Sequence, residues 1–305
     1  MVVVQPKEQI VSLRPLRWFL FTVAISLVVG WHSLLGVFSL AWTNEAYTHI
    51  LLIIPIAACF IYLDWPEPLK WTPNLRAGAV FVFAALFVVA IEKLKSDSLI
   101  ADEQLSLCTL AMVLWWIGAF VGCFGTRVSK SLLFPLGFLF WFVPLPAFLL
   151  NAIVGFLQQG SAYAAQLLFA VVGVPVMQDG IRLTIPGLTV EVAQECSSIR
   201  SSMILLVTTM VLAQLFLRSP WRKAFVIAAA VPLSLAKNGL RIFTIAMLGT
   251  RVDPAFLTGK LHHNGGVIFL AIAVAIIFLL LWILREQRSG RTEGTLRPVI
   301  STVRK

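Results

Sequence analysis

The sequence predicts an all-α polytopic membrane protein with about eight transmembrane helices and one small outer-face hairpin between spans five and six. Two observations carry that expectation. Hydrophobic residues make up 59% of the 305 residues against 12% charged, and mean hydropathy is +0.91, a balance that excludes a soluble globular domain. Apolar runs recur along almost the whole chain, each near the roughly 20 residues that a helix needs to cross a ~30 Å hydrocarbon core.

The spans fall at 18–41, 48–64, 77–92, 105–124, 131–150, 197–217, 221–248 and 265–284. The first is preceded by basic residues like a signal peptide, but it is long and no small-residue cleavage site follows, so it is expected to be retained. Pro55, Pro135, Pro144, Pro146 and Pro232 fall within spans and are expected to mark kinks, the freed backbone groups being satisfied by neighbouring helices. The one long connection is 151–196. It opens with Asn151 to Val172, whose alternating apolar and polar residues suggest an interfacial or partly inserted helix. PVMQDGIRLTIPGLTVEV follows, and Asp179-Gly180 between alternating Val, Ile, Leu and Thr reads as a hairpin. Residues 1–284 form one transmembrane domain, and 285–305 read as a basic, disordered cytoplasmic tail with affinity for anionic membrane lipid.

The net charge of +10 reflects asymmetry across the membrane rather than a nucleic-acid surface, since no dense basic run sits on a soluble scaffold. With the N-terminus inside, 16 of the 24 Lys and Arg residues fall on the cytoplasmic side. Both termini are therefore expected to be cytoplasmic.

Of the four cysteines, Cys59, Cys108 and Cys123 fall in or beside spans, and Cys196 alone sits at the outer mouth of span six. A thiol at a helix start can be activated there, although a lone cysteine can equally be a small packed hydrophobe. Span seven carries Lys237, Asn238 and Arg241 at spacings that line one helix face. An arginine in a span stays charged and needs an anion, a polar cavity or the interface. Arg200 lies one turn below Cys196, placed to hold a thiolate or to tether two helices. His262 and His263 precede span eight at the same outer level, followed by Gly265 and Gly266, which permit close approach of another chain. A histidine there can take a proton from a thiol and return one to a leaving amine. Three consecutive spans thus present a cysteine, an arginine and a histidine at one membrane face, a set suited to acyl transfer. A zinc site using His49, the histidine pair, Cys196 and outer carboxylates is the weaker rival, because neither HExxH nor CxxC spacing is present. No cofactor or metal is expected.

With ECSSIRSS around Cys196, NGLRI around Arg241, HHNGG before the last span and EAYTHILLIIP at span two, the chain resembles the exosortases and archaeosortases over nearly its whole length. The resemblance implies a membrane cysteine transpeptidase. Its partners would be secreted proteins ending in a sorting signal of motif, transmembrane helix and basic cluster (the PEP-CTERM type). It implies Cys196 as nucleophile, Arg241 as stabiliser of the oxyanion or thiolate, and a histidine as general base and acid. The family spacing from histidine to glycine favours His262 over His263. The family motif commonly continues Ser-Gly after the cysteine, whereas Ser197 is followed here by Ser198. An accessory protein in trans is a possible further partner, as some relatives carry an additional soluble domain. Two other classes remain. An anion or small-molecule transporter would use Lys237, Arg241 and Arg200, and a glycan-assembly or acyltransferase protein would need outer carboxylates such as Glu191, Glu195 or Asp253.

Overall fold

The computed structural model describes residues 14–66, 72–192, 199–257 and 266–285. The chain opens with α1 (Arg14–Val29) and α2 (Trp31–Thr43), followed by a 3₁₀ turn (Glu45–Tyr47) and α3 (Ile50–Leu63). Next come α4 (Leu75–Lys95), α5 (Ala101–Phe124), the short α6 (Thr126–Ser131) and α7 (Leu133–Phe138), and a 3₁₀ turn (Leu139–Phe142). α8 (Ala147–Val171) leads into β1 (Met177–Asp179), β2 (Arg182–Ile185) and β3 (Leu188–Glu191). The last helices are α9 (Ile199–Phe216), α10 (Pro220–Arg251) and α11 (Gly266–Leu284), with a 3₁₀ turn (Pro254–Leu257) after α10.

This is an all-α multi-pass membrane protein. Among the described residues six helices are long and apolar enough to cross a membrane, or up to eight spans if each of two bent pairs counts as one. The first bend departs from the expected continuous span, and the second falls where prolines were expected to mark kinks. In place of a single helix at 18–41, α1 and α2 meet at Gly30 with a bend of 75°. A Cβ on Gly30 would lie 2.6 Å from Met112 Sδ of α5, so the missing side chain is what lets α5 press into the bend.

The expected span at 131–150 is likewise broken. Leu133–Phe142 and Ala147–Val171 are bent by 95°, and the break holds Pro144 and Pro146, which lack N–H donors and keep their preceding residues out of the helical region. Tyr47 Oη donates to the Leu145 carbonyl at 2.9 Å, satisfying one backbone acceptor that the break exposes. Beyond it, the stretch expected to lie at the interface belongs to a 25-residue helix, α8, packed along α10. Pro55 and Pro232, by contrast, lie inside helices that continue through them.

The first half of the bundle gathers α2, α3, α5 and the 139–142 turn around buried Val37, Ile50, Ile53, Val113 and Phe142. α4 runs along α5, where a Cβ on Gly78 would come within 2.6 Å of the Gly118 carbonyl, the close helix approach that small residues allow in membranes. In the second half α9, α10 and α11 share buried Leu205, Ala213, Val226, Ala273 and Ile277. Arg222 Nη1, near the start of α10, donates to the carbonyl of Leu284 at the end of α11 at 3.0 Å. The two helices therefore run antiparallel with these ends level.

The expected hairpin is present and extends to a third strand. β1, β2 and β3 form an antiparallel sheet in that order, with Asp179 opposite Arg182 and Ile185 opposite Leu188. Both two-residue turns rely on a glycine with positive φ, Gly180 at 59° and Gly187 at 84°. Along β2 the side chains alternate, Leu183 and Ile185 buried and Arg182 and Thr184 exposed. The buried pair packs on Ala162, Ala165 and Phe169 of α8 and on Ile242 and Ala246 of α10. Gln158 Nε2 donates to the Val192 carbonyl at 2.9 Å, pinning the end of the sheet to α8.

Gly239 sets the contact between α8 and α10. A Cβ there would lie 2.5 Å from Ala164 Cβ and 2.9 Å from backbone atoms of Ala164 and Ala165, none of which can swing aside. Gly239→Ala is therefore expected to destabilise the protein by about 1–3 kcal/mol, the range for overpacking a tight contact. A thermal-unfolding scan of the detergent-solubilised protein, with a midpoint several degrees below the parent, checks it.

Candidate active site

The site is built from one end of three helices. α10 has 32 residues, about 48 Å at 1.5 Å per residue, well beyond a ~30 Å hydrocarbon core. α11 has 19 residues, about 28 Å. With Arg222 level with the end of α11, antiparallel packing brings Arg241 level with its start. A Cβ placed on Gly266 would indeed lie 3.8 Å from Arg241 Nη1. Arg241 thus lies level with the start of α11, within the candidate span Pro220–Arg251. Residues Ile242–Arg251 continue past it to carry the sheet and the far end of α8.

Lys237, Asn238 and Arg241 are all buried, with relative exposures of 6%, 1% and 8%. Gly239, on another side of the helix, faces α8. The NGLRI sequence therefore does two things at once, fitting α8 with its glycine and directing its polar residues inward. α9 meets that polar face with serines. Lys237 Nζ donates to Ser201 Oγ, and Ser234 Oγ donates to Ser202 Oγ at 2.6 Å, a buried pair. These serines belong to the site as much as the cations do, although no single one of them stands out in the sequence. The signal available was spacing: Ser234 precedes Lys237 by three residues on one helix face.

Cys196, His262, His263 and Gly265 lie outside the described residues, as do Glu195 and the tail 286–305. What the structure brings together is the frame on which they hang. Ile199, three residues after Cys196, opens α9, and Gly266, four after His262, opens α11, beside Arg241.

A family model for the transmembrane exosortases matches residues 41–279. The chain belongs to the transmembrane exosortase family. The match covers most of the chain and includes Cys196, Arg241 and both histidines of the 262–263 pair. The family is one of membrane cysteine peptidases and transpeptidases of protein sorting. No curated protein and no solved structure matches the chain.

Other candidate residues of this exosortase stand apart from the buried cations. Arg200, on the first turn of α9, pairs with Glu45 Oε1 of the 3₁₀ turn at 3.4 Å, both side chains being at least half exposed. That ties α9 to the EAYTH segment and matches the tethering alternative. Glu191 is held by Arg182 across β2 and β3 at 3.0 Å, and Asp253 accepts from the Ala255 backbone N–H at 2.8 Å. Both carboxylates thus have partners of their own on the sheet and the turn after α10. His49 is buried at the start of α3 with its ring against Trp141, centroids 6.1 Å apart. Cys59, Cys108 and Cys123 are free thiols on α3 and α5.

The Arg200 pair yields a measurable expectation. Glu45→Gln and Arg200→Gln are each expected to cost no more than ~1 kcal/mol, as for exposed ion pairs. The double variant should lose little more than either single one in the same unfolding assay, and a clearly additive loss would mean that the two do not act as a pair.

Proposed function

We propose that this exosortase is a membrane-embedded cysteine transpeptidase. In this reading it cleaves secreted proteins at a C-terminal signal of motif, transmembrane helix and basic cluster, of the PEP-CTERM type. The reading places it in the inner (plasma) membrane of a prokaryote, with both termini cytoplasmic and the Arg241 end on the outer face. Arg222 and Lys223 at the opposite end of α10 fit that orientation, since short cytoplasmic segments retain Lys and Arg.

The observation that carries the proposal is the meeting of the start of α11 with Arg241 and of the first turn of α9 with Lys237, one turn away on α10. Covalent reach alone keeps the Cα of Cys196 within about 11 Å of that of Ile199, and the Cα of His262 within about 14 Å of that of Gly266. A helix start and two nearby cations favour a thiolate over a thiol.

In the proposed reaction His262 takes the proton of Cys196 Sγ, and the thiolate attacks the scissile carbonyl carbon. The carbonyl π pair moves to oxygen, and the Arg241 guanidinium donates to that oxyanion. Collapse breaks the C–N bond as imidazolium returns the proton to the leaving nitrogen, leaving a thioester on Cys196. An amine, a glycan-linked group or water then attacks the thioester, giving its proton to the histidine and restoring the thiol. His263 is the alternative occupant of the histidine role, and Asn238 is a supporting polar group. The acceptor and an accessory protein acting in trans are further partners to identify.

The test is a co-expressed secreted reporter ending in motif, helix and basic tail, followed as a mass shift. Cys196→Ala is expected to abolish cleavage, and Arg241→Lys to reduce it by about 10²-fold or more, because an ammonium cannot reproduce the fork of a guanidinium. Cleavage that persists in Cys196→Ala would overturn the mechanism. Solute uptake that depends on Arg241 and not on Cys196 would favour a transporter instead.

A further inference from the structure

An antiparallel sheet has two edges, and every second residue of an edge strand turns its backbone N–H and C=O away from the sheet. The ladder fixes which residues these are. Val192 N donates to the Ile181 carbonyl at 3.0 Å, and the register continues with Glu191 opposite Arg182 and Val190 opposite Leu183. Alternation then commits the backbone groups of Leu188 and Val190 to β2 and turns those of Thr189 and Glu191 to the open side of β3. At the other edge it turns out those of Gln178 on β1. Among the described residues no hydrogen bond ends on the outward backbone groups of Thr189 and Glu191, since the Arg182 pair uses the Glu191 side chain. The two edges are not equivalent. β1 packs beside α8, whereas β3 packs beside α10. Ile242, directly after Arg241, lies under the sheet against Leu183 and Ile185. Cys196 follows Glu191 by five residues, so covalent reach keeps the Cα of Cys196 within about 18 Å of the end of β3.

We propose that the open edge of β3 takes an extended segment of the polypeptide substrate as a fourth strand and holds it by its main chain beside the reaction centre. The inference rests on the peptidase reading and deepens it. A strand seated about 4.8 Å from β3 meets the outward N–H and C=O of Thr189 and Glu191. Adding a strand to a sheet edge draws affinity from main-chain hydrogen bonds and leaves the side chains of the peptide to be read by other parts of the site. The occupant is a short peptide segment rather than a second copy of the chain, because β3 has only four residues. The few bonds it can offer suit a segment that must leave after cleavage, whereas a lasting dimer needs a far larger contact. The sequence LTVE also carries neither Pro nor Lys, the residues with which natural edge strands prevent pairing.

The experiment follows cleavage of the co-expressed secreted reporter by the full-length protein and by three proline variants. Thr189→Pro and Glu191→Pro each delete one outward N–H and leave the bonds to β2 in place, a change that edge strands tolerate. Each is expected to lower cleavage about tenfold, the worth of one or two backbone hydrogen bonds. Gln178→Pro makes the same change at the far edge and is expected to stay within about twofold of the parent. No loss at β3, or equal losses at both edges, would overturn the role of this edge and leave the peptidase reading standing. A second arm decides even where a proline variant fails to accumulate. In membranes holding Cys196→Ala, Thr189→Cys or Gln178→Cys is oxidised with a reporter that carries one cysteine at successive positions beside the bond to be cut. Disulfides are expected with Thr189→Cys and not with Gln178→Cys, at every second reporter position, because side chains of a paired strand alternate. No disulfide to the reporter, equal linkage at both edges, or a disulfide joining two copies of the enzyme through position 189 would overturn the inference. Reporter cleavage by Cys196→Ala, or none by the parent, would instead remove the peptidase reading and this inference with it.

Discussion

Two positive charges that cannot be left in hydrocarbon organise the second half of this protein. Lys237 and Arg241 project from a helix longer than the bilayer is thick, and the surrounding elements are arranged to receive them. α9 carries Ser201 and Ser202 in its first turn, α11 opens at Gly266 beside the guanidinium, and α8 takes the opposite side of α10 through Gly239. A charged side chain in a membrane protein faces the bundle interior or a polar cavity and finds donors or acceptors there. Here that rule fixes which helix ends meet, and the meeting of helix ends is the frame of the site.

Much of this was legible in the amino-acid sequence because the bilayer is a simple solvent. Length and apolarity identify helices, and α3, α4, α5, α9, α10 and α11 all overlap the apolar runs that foretold them. The polar stripe of Lys237, Asn238 and Arg241 followed from helical spacing and is buried as one face. Asp179-Gly180 announced a hairpin, and the β1–β2 turn is there with Gly180 at positive φ.

What stayed hidden is what a hydropathy window averages away. A bend at Gly30 leaves the apolar sum of a span almost unchanged, so α1 and α2 passed as one continuous helix, whereas Pro144 and Pro146 marked the second break but not its 95° size. The third strand follows the Gly187 turn, and what holds the sheet in place is Leu183 and Ile185 of β2 burying against α8 and α10, a tertiary contact with no local mark. The Ser202–Ser234 pair is also invisible locally, because serine is common in membrane helices and only the partner across the interface gives it a role. Arg241 was traced to the correct helix and face, but its depth depended on how far α10 continues past its neighbours, which no single span reveals.

The match between α11 and the Arg222 to Arg241 stretch of α10 also works as a ruler. About 28 Å separates Arg222 at one end of the matched stretch from Arg241 at the other. The bilayer must stretch, thin or tilt the helices whenever its hydrocarbon thickness departs from that length, at a cost of fractions of a kcal/mol per Å. The acyl-chain length of the host lipids therefore sets how deeply the cation pair is immersed. The same polypeptide reconstituted in short-chain and long-chain lipid would present its reaction centre to two different dielectric surroundings without any change in sequence.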